Sequence, residues 1–230
     1  MGIRKRVRHS CGKRKRAVRS WTNRLAGYPC FLIGSGPSLN DYPMKKIDKY
    51  FLIGVNHSYQ KVFPTILMWQ DIEFWYSARK DLKKINSIKY CRNVSDPTGS
   101  FYTFSLSSRF FEIPTDATIL HGRGNSGALA FELACILGCN PIVLFGFDCK
   151  YRGKNTDFFG VNRFHKRHTL RCCYGGLKWI KSMSDEKKII NCSDNKVFKK
   201  QYSMDEAIGM VEDLYPKTGK EHFINRILGP

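Results

Sequence analysis

The sequence predicts an α/β fold built on a single doubly wound, mostly parallel sheet, and three observations predict it. Its strand-like runs are nearly continuous in apolar residues rather than alternating, the pattern of a sheet with both faces covered. Those runs alternate with helix-like segments along the chain. Each run also ends in small or polar residues, at the sheet edge where open α/β folds collect their ligands. The length of 230 residues allows one such domain with a full core.

The chain starts with a basic arm, residues 1–27. Arg4, Lys5, Arg6, Arg8, Lys13, Arg14, Lys15, Arg16 and Arg19 lie in it, and no acid appears before residue 25. With Arg24 counted, this segment holds half of the net charge of +20. A field of that sign favours nucleic acid, an anionic membrane face or a polyanionic substrate. No apolar h-region follows the charges, so the arm does not read as a secretory signal. No run of 18 apolar residues occurs, which excludes a transmembrane helix from the expectation. The nine cysteines are odd in number and lack C-x-x-C spacing; they read as reduced thiols of a cytoplasmic protein.

The remaining 28–230 form one domain. Strands are predicted at "YPCFLIG" (28–34), "YFLIGV" (50–55), "TILMW" (65–69), "KYCRNV" (89–94), "PIVLFGF" (141–147) and "KKIIN" (187–191). Helices are predicted over 72–85, 126–137, 170–183, 204–214 and 220–228. The clearest is "NSGALAFELACILG": Asn125 or Ser126 caps it, Leu129, Leu133 and Leu137 share a face, and Gly138 stands where it ends.

The strand ends supply the candidate site. After the first comes Gly34-Ser35-Gly36-Pro37-Ser38, a small-residue turn whose outward amides would hold an anion. It lacks the full G-x-G-x-x-G spacing and the Walker lysine, so a plain turn is the competing reading. Asn56-His57-Ser58 follows the second strand and Gln70-Asp71-Ile72-Glu73 the third. Gly122-Arg123-Gly124-Asn125-Ser126-Gly127 precedes the capped helix. Asp148 follows the fifth strand, and Asn191-Cys192-Ser193 closes the last.

In order and spacing, "GSGPSL", "VNHSY", "NSGALAFELACILGCNPIVLFGFD" and "IINCSDN…MDEA" resemble one superfamily. It joins bacterial sialyltransferases of the single Rossmann-like domain type to hydroxymethylpterin diphosphokinase-like proteins, phage members included. The resemblance spans roughly residues 28 to 212 and implies transfer of a sugar or a diphosphate from a nucleotide donor. By position it gives Ser35 and Ser38, beside Gly34 and Gly36, to the donor phosphates or ribose. It gives Asn56 to the donor and makes Asn125, Ser126 and Gly127 the loop holding the nucleotide at a helix N-terminus. Asp148 takes the G-x-D position, and Asn191 and Ser193 lie where the last strand closes over the donor. Gln70 joins this donor set from its strand end. Where the sialyltransferases place two tyrosines to support the leaving phosphate, this sequence has Lys150, with Tyr151 one residue late, and Asn155. Lysine serves the same end by neutralising developing charge.

Transfer to a hydroxyl also needs a base. In "FFGVNRFHKRHTL" the candidates are His165 and His168, imidazoles titrating near neutral pH; a basic loop touching phosphate is their competing reading. Asp148 and Asp71 complete the catalytic candidates. Asp71 with Glu73 also resembles the paired carboxylates with which glycosyltransferases hold Mg²⁺ or Mn²⁺, against a helix start that the two would equally form. The function predicted is transfer of a sugar from a nucleotide-sugar donor to a hydroxyl. Because positive charge continues from the arm into "RFHKRH" and "NKVFKK", the expected acceptor is a hydroxymethylated base in phage DNA, flipped into the site. The alternatives are an ATP-dependent diphosphokinase acting on a pterin-like alcohol, transfer to lipopolysaccharide, and a non-enzymatic nucleic-acid-binding protein.

Overall fold

Short apolar strands set the architecture. In the computed structural model, which describes residues 21–107, 112–121, 124–162, 167–214 and 219–229 (Arg167 and His168 by backbone alone), eight strands form one sheet. In chain order they are β1 Cys30–Ile33, β2 Leu52–Val55, β3 Ile66–Trp69, β4 Ile88–Arg92, β5 Tyr102–Leu106, β6 Ile119–Leu120, β7 Ile142–Phe145 and β8 Ile189–Asn191. The helices are α1 Ile72–Leu82, α2 Ser126–Ile136, α3 Arg167–Ser182, α4 Met204–Gly209 and α5 Gly219–Leu228. All described strand pairs are parallel, in the order β6-β5-β4-β3-β2-β1-β7-β8. The fold class is the doubly wound, Rossmann-like one that the sequence predicts.

Residues alternate between the faces of each strand, and the core divides accordingly. Cys30 and Leu32 of β1, with Ile53 of β2, pack beneath α2 on one face. Phe31, Ile33, Leu52 and Phe145 point the other way, against Met204 and Ala207 of α4. A third group at β3 and β4 joins Leu67, Trp69 and Cys91 to Phe74, Ala78 and Leu82 of α1. Helix α2 is buried on nearly every side, as a helix apolar all round must be.

The folded body begins earlier than the composition shift. Trp21 and Leu25 are fully buried, and Trp21 lies 5.5 Å from the Tyr90 ring and 5.2 Å from that of Tyr102. The amides of Asn23, Leu25 and Gly27 donate to the carbonyls of Ile136, Leu137 and Gly138, fastening this segment to the end of α2.

The strand order fixes where a ligand goes. From β1 the chain winds outward through β2, β3, β4, β5 and β6, then returns to lay β7 on the opposite side of β1. Their carboxyl ends diverge into loops that leave in opposite directions, which opens a crevice at this switch point.

Candidate functional site

A cavity of about 580 Å³ occupies that crevice. The predicted positions Gly34, Ser35 and Gly36 line it from the end of β1, Asn56 from β2, and Gln70, Asp71 and Glu73 from the end of β3 and the start of α1. Asn125, Ser126 and Gly127 contribute the N-terminus of α2, and Asp148 the tail of β7. Residues scattered over more than a hundred positions of sequence thus meet in one place.

The β1 turn is built differently from its sequence reading. The Gly34 amide donates to the Phe145 carbonyl at 2.7 Å, and the Gly36 amide to that of Gly146 at 2.8 Å. The Ser38 amide donates to Asp148 Oδ2 at 2.7 Å and its hydroxyl to Oδ1 at 2.6 Å. These amides are committed to β7 and its tail, so the anion cradle expected of them does not form. The glycines are needed for another reason. A Cβ on Gly34 would stand 2.3 Å from the Gly146 carbonyl oxygen, and one on Gly36 2.5 Å from Asp148 Oδ2. Ser35 alone in this turn keeps a half-buried side chain on the cavity wall.

Asp148 is 4 % exposed and accepts a third bond, from the Asp194 amide at 3.1 Å. Burial pushes its pKa up while these donors pull it down, and burial wins. With both oxygens engaged, it clasps the β1 turn to the β7 and β8 tails. Asn191 and Ser193, predicted to face the donor, are buried in the scaffold instead. Ser193 Oγ receives the Phe147 amide at 2.8 Å and donates to the Leu144 carbonyl at 3.1 Å. Asn191 Nδ2 donates to the Ser193 carbonyl at 3.0 Å. Ser38 likewise is 1 % exposed and stands behind the wall. Lys150 is paired with Asp194 at 2.6 Å, and Arg152 holds Asp41 through two bonds of 2.8 and 2.6 Å; neither cation lines the cavity.

The opposite side is organised by α2. Asn125 has extended backbone, and its Oδ1 accepts from the Ala128 amide at 2.8 Å, the side-chain cap that the sequence predicts. Its Nδ2 donates to the Cys172 carbonyl at 3.3 Å, tying α2 to α3. Gly176 permits this, because a Cβ there would fall 2.2 Å from Asn125 Nδ2. The first helical amides, those of Ser126 and Gly127, have no partner within the helix and stand on the cavity wall. Here the fold presents its positive end to a ligand.

Asn56 adopts φ +49°, a left-handed conformation uncommon outside glycine though tolerated by asparagine. This turn brings Asn56 and His57 onto the wall together. Among the described residues, Asn56 Oδ1, His57 Nδ1 and Ser58 Oγ are enclosed without a hydrogen-bond partner, a costly arrangement; Ser58 stands behind the wall rather than on it. The signal for His57 was its position, directly after a strand end. His165 lies outside the described residues, as do Arg123 and the arm residues Arg4 to Arg19; His168 falls in α3, its side chain undescribed.

Thr156, Asp157 and Asn162 also line the cavity without having been predicted. They belong to a segment of two successive tight turns, bridged at Arg152–Asn155 and Asp157–Gly160, pinned to the β1 turn by the Phe158 amide, which donates to the Ser35 carbonyl at 2.8 Å. The described wall carries the carboxylates of Asp71, Glu73, Asp148 and Asp157 and no lysine or arginine. Asp71 takes the position before α1 without a side-chain cap bond, and Glu73 lies in the first turn. Among the described residues no group of three or more metal-ligating side chains gathers.

No protein-family model and no curated protein matches the sequence. Solved structures similar to this chain include the following two. A MAf glycosyltransferase from Magnetospirillum magneticum AMB-1 superposes with a TM-score of 0.55 at 16 % identity, over 92 % of this chain and 44 % of that one. The sialyltransferase CstII from Campylobacter jejuni, in complex with the substrate analogue CMP-3FNeuAc, gives a TM-score of 0.39 at 12 % identity, over 71 % of this chain and 80 % of that one. This chain spans less than half the length of the first. What it shares with that structure is the fold.

Proposed function

We propose that this protein is a glycosyltransferase that takes a sugar from a nucleotide-sugar donor bound in the switch-point cavity. One observation carries the proposal: separated strand ends and the α2 N-terminus, each picked out by its polar residues, converge on a single cavity of about 580 Å³, a size that suits a small ligand. In this reading the Ser126 and Gly127 amides hold the donor phosphate. Asn56, Gln70 and Ser35 contact its nucleoside and ribose. A MAf protein with the same fold is named a glycosyltransferase, which fits the proposal.

The acceptor presents a hydroxyl. Its finer identity rests on charge: the arm and the remaining chain are both strongly basic, and a polyanion such as DNA carrying hydroxymethylated bases matches that field. Cations for the donor phosphate come, on this view, from Arg123, Arg163, Lys166 and Arg167, which adjoin the described wall in sequence.

The test is nucleotide release from a panel of CMP-, UDP- and GDP-sugars, with and without hydroxymethylated duplex DNA. Release from one nucleotide class is expected, accelerated by the DNA with a matching increase in base mass. Conversion of ATP to AMP with a small alcohol would move the protein to the diphosphokinases. DNA retention without nucleotide binding would leave it a binding protein.

A further inference from the structure

Helix α3 carries cations and no acid. Arg171, Lys178 and Lys181 belong to it, whereas each of the other helices includes a carboxylate: Glu73 and Asp81 in α1, Glu132 in α2, Asp205 and Glu206 in α4, Glu221 in α5. Positions 171, 174, 178 and 181 have the i, i+3, i+7, i+10 spacing that stacks side chains along one helix face, and all four are exposed. Lys178 Nζ lies 4.8 Å above the Tyr174 ring, so an aromatic surface stands within the row of charges. Lys181 Nζ lies 5.4 Å over the ring of Phe198, and exposed Lys196 and Lys199 flank that residue in sequence.

The row is left unneutralised. Among the described residues Arg171, Lys178 and Lys181 form no ion pair, while Lys46, Lys49 and Lys220 elsewhere on the surface hold Asp205, Glu212 and Asp48 at 2.8, 2.9 and 2.5 Å. Asp194, which precedes the Phe198 segment, is taken by Lys150 at 2.6 Å. Asp185 and Glu186 come only after the last turn of α3.

We propose that the exposed face of α3, continued by Lys196 and Lys199, is a docking surface for the phosphodiester backbone of duplex DNA. From Arg171 to Lys181 the row spans about 15 Å at about 1.5 Å per residue, roughly four base-pair steps of about 3.4 Å. Contacts of this kind hold and orient a duplex without reading its sequence. A bilayer fits the face less well: α3 turns Leu177 and Ile180 inward, each 1 % exposed, and so offers lipid no broad apolar stripe. Thr169, Leu170, Cys172 and Cys173 of the same helix line the cavity, so a duplex on the row passes beside it. That consequence, delivery of an acceptor base to the cavity, rests on the transferase reading above; the docking itself needs no sugar donor.

The experiment measures binding of the full chain to a short fluorescent duplex of unmodified DNA over about 50–200 mM salt. Wild type is compared with the triple variant Arg171→Gln/Lys178→Gln/Lys181→Gln and with Lys46→Gln/Lys49→Gln/Lys220→Gln, which removes the same charge from paired lysines. Melting curves check that both variants fold, and calorimetry follows their nucleotide affinity. The α3 triple should lower the slope of log affinity against log salt by about 0.9 for each cation, or about 2–3 together, and weaken binding at least about tenfold. Lys178→Gln alone, a single surface change, should lower the slope by about 0.9. The paired-lysine triple should keep the wild-type slope, and nucleotide affinity should hold in every variant. An unchanged slope in the α3 triple overturns the proposal, as does an equal loss in both triples, which would make net charge the only cause. Vesicles of phosphatidylserine and phosphatidylcholine are the second probe; vesicle binding lost in the α3 triple, with its DNA slope intact, would assign the face to lipid instead. Duplex binding through α3 by a chain that takes no nucleotide would leave the docking face in place and overturn the transferase reading alone.

Discussion

The two walls of the cavity treat their polar groups in opposite ways. On the β1/β7 side, Gly34, Gly36, Ser38, Asp148, Asn191 and Ser193 bond to one another and to neighbouring backbone. On the β2/α2 side, Asn56 Oδ1, His57 Nδ1 and Ser58 Oγ stay unpartnered, and the α2 amides open onto the cavity. An enclosed polar atom left without a partner costs stability, and this side of the described structure carries three of them. On the proposed reading, the β1/β7 wall builds the site and the β2/α2 wall binds in it. The more motif-like of the two sequences belongs to the builder.

Substitutions can break this contrast. The largest effect belongs to Gly34→Ala, which drives a methyl into the Gly146 carbonyl. A loss of about 3 kcal/mol in denaturant unfolding is expected, the upper range for overpacking a tight site. Unchanged stability would mean that the two strand ends are not in contact. Asp148→Ala comes next, stranding the two donors of Ser38 and the Asp194 amide at a cost of about 2–3 kcal/mol.

Asp148 also has a pH signature. Its raised pKa means that the folded state holds the proton more tightly than the unfolded chain does. The stability it contributes is full below the ordinary value of about 3.9 and is lost as pH rises through the raised one. Measured against Asp148→Asn, the wild type should therefore lose ground over that rise; a difference growing with pH would contradict the burial account.

Asn125→Ala removes the α2 cap and its tie to α3, and should cost about 1 kcal/mol; an unaltered melting curve would deny it the capping role. Asn56→Gly keeps the left-handed backbone and removes only the side chain. It should leave stability within about 0.5 kcal/mol while weakening nucleotide binding about tenfold, the worth of one good hydrogen bond. The reverse pattern, lost stability with binding intact, would erase the distinction between the walls.

The central sheet was legible because β1, β2, β3 and β7 are buried on both faces and read as unbroken apolar runs. Strands β5 and β6 were not. Tyr102–Leu106 is mostly half-exposed at the side of the sheet, and Ile119–Leu120 is two residues long. Strand-end position located Asn56 and Gln70, because a parallel sheet carries its carboxyl ends to one edge whatever the loops do, and Asn125 was marked by the helix it caps. Position gave no indication that the Gly34, Gly36 and Ser38 amides would be consumed. That depends on which strand lies beside β1, and the partner carboxylate, Asp148, is 110 positions from Ser38. Asp157 had no preceding strand to mark it; it reaches the cavity on a tight turn bridged to Gly160.

The division between the two walls is tested most directly by titrating isotopically labelled protein with CMP and UDP and following backbone and side-chain amide resonances. The account predicts that the binding nucleotide shifts Asn56, His57, Gln70, Ser126 and Gly127 strongly while Ser38, Asn191 and Ser193 hold still. Shifts centred on Ser38, Asn191 and Ser193, with Asn56 and Gly127 unmoved, would contradict it.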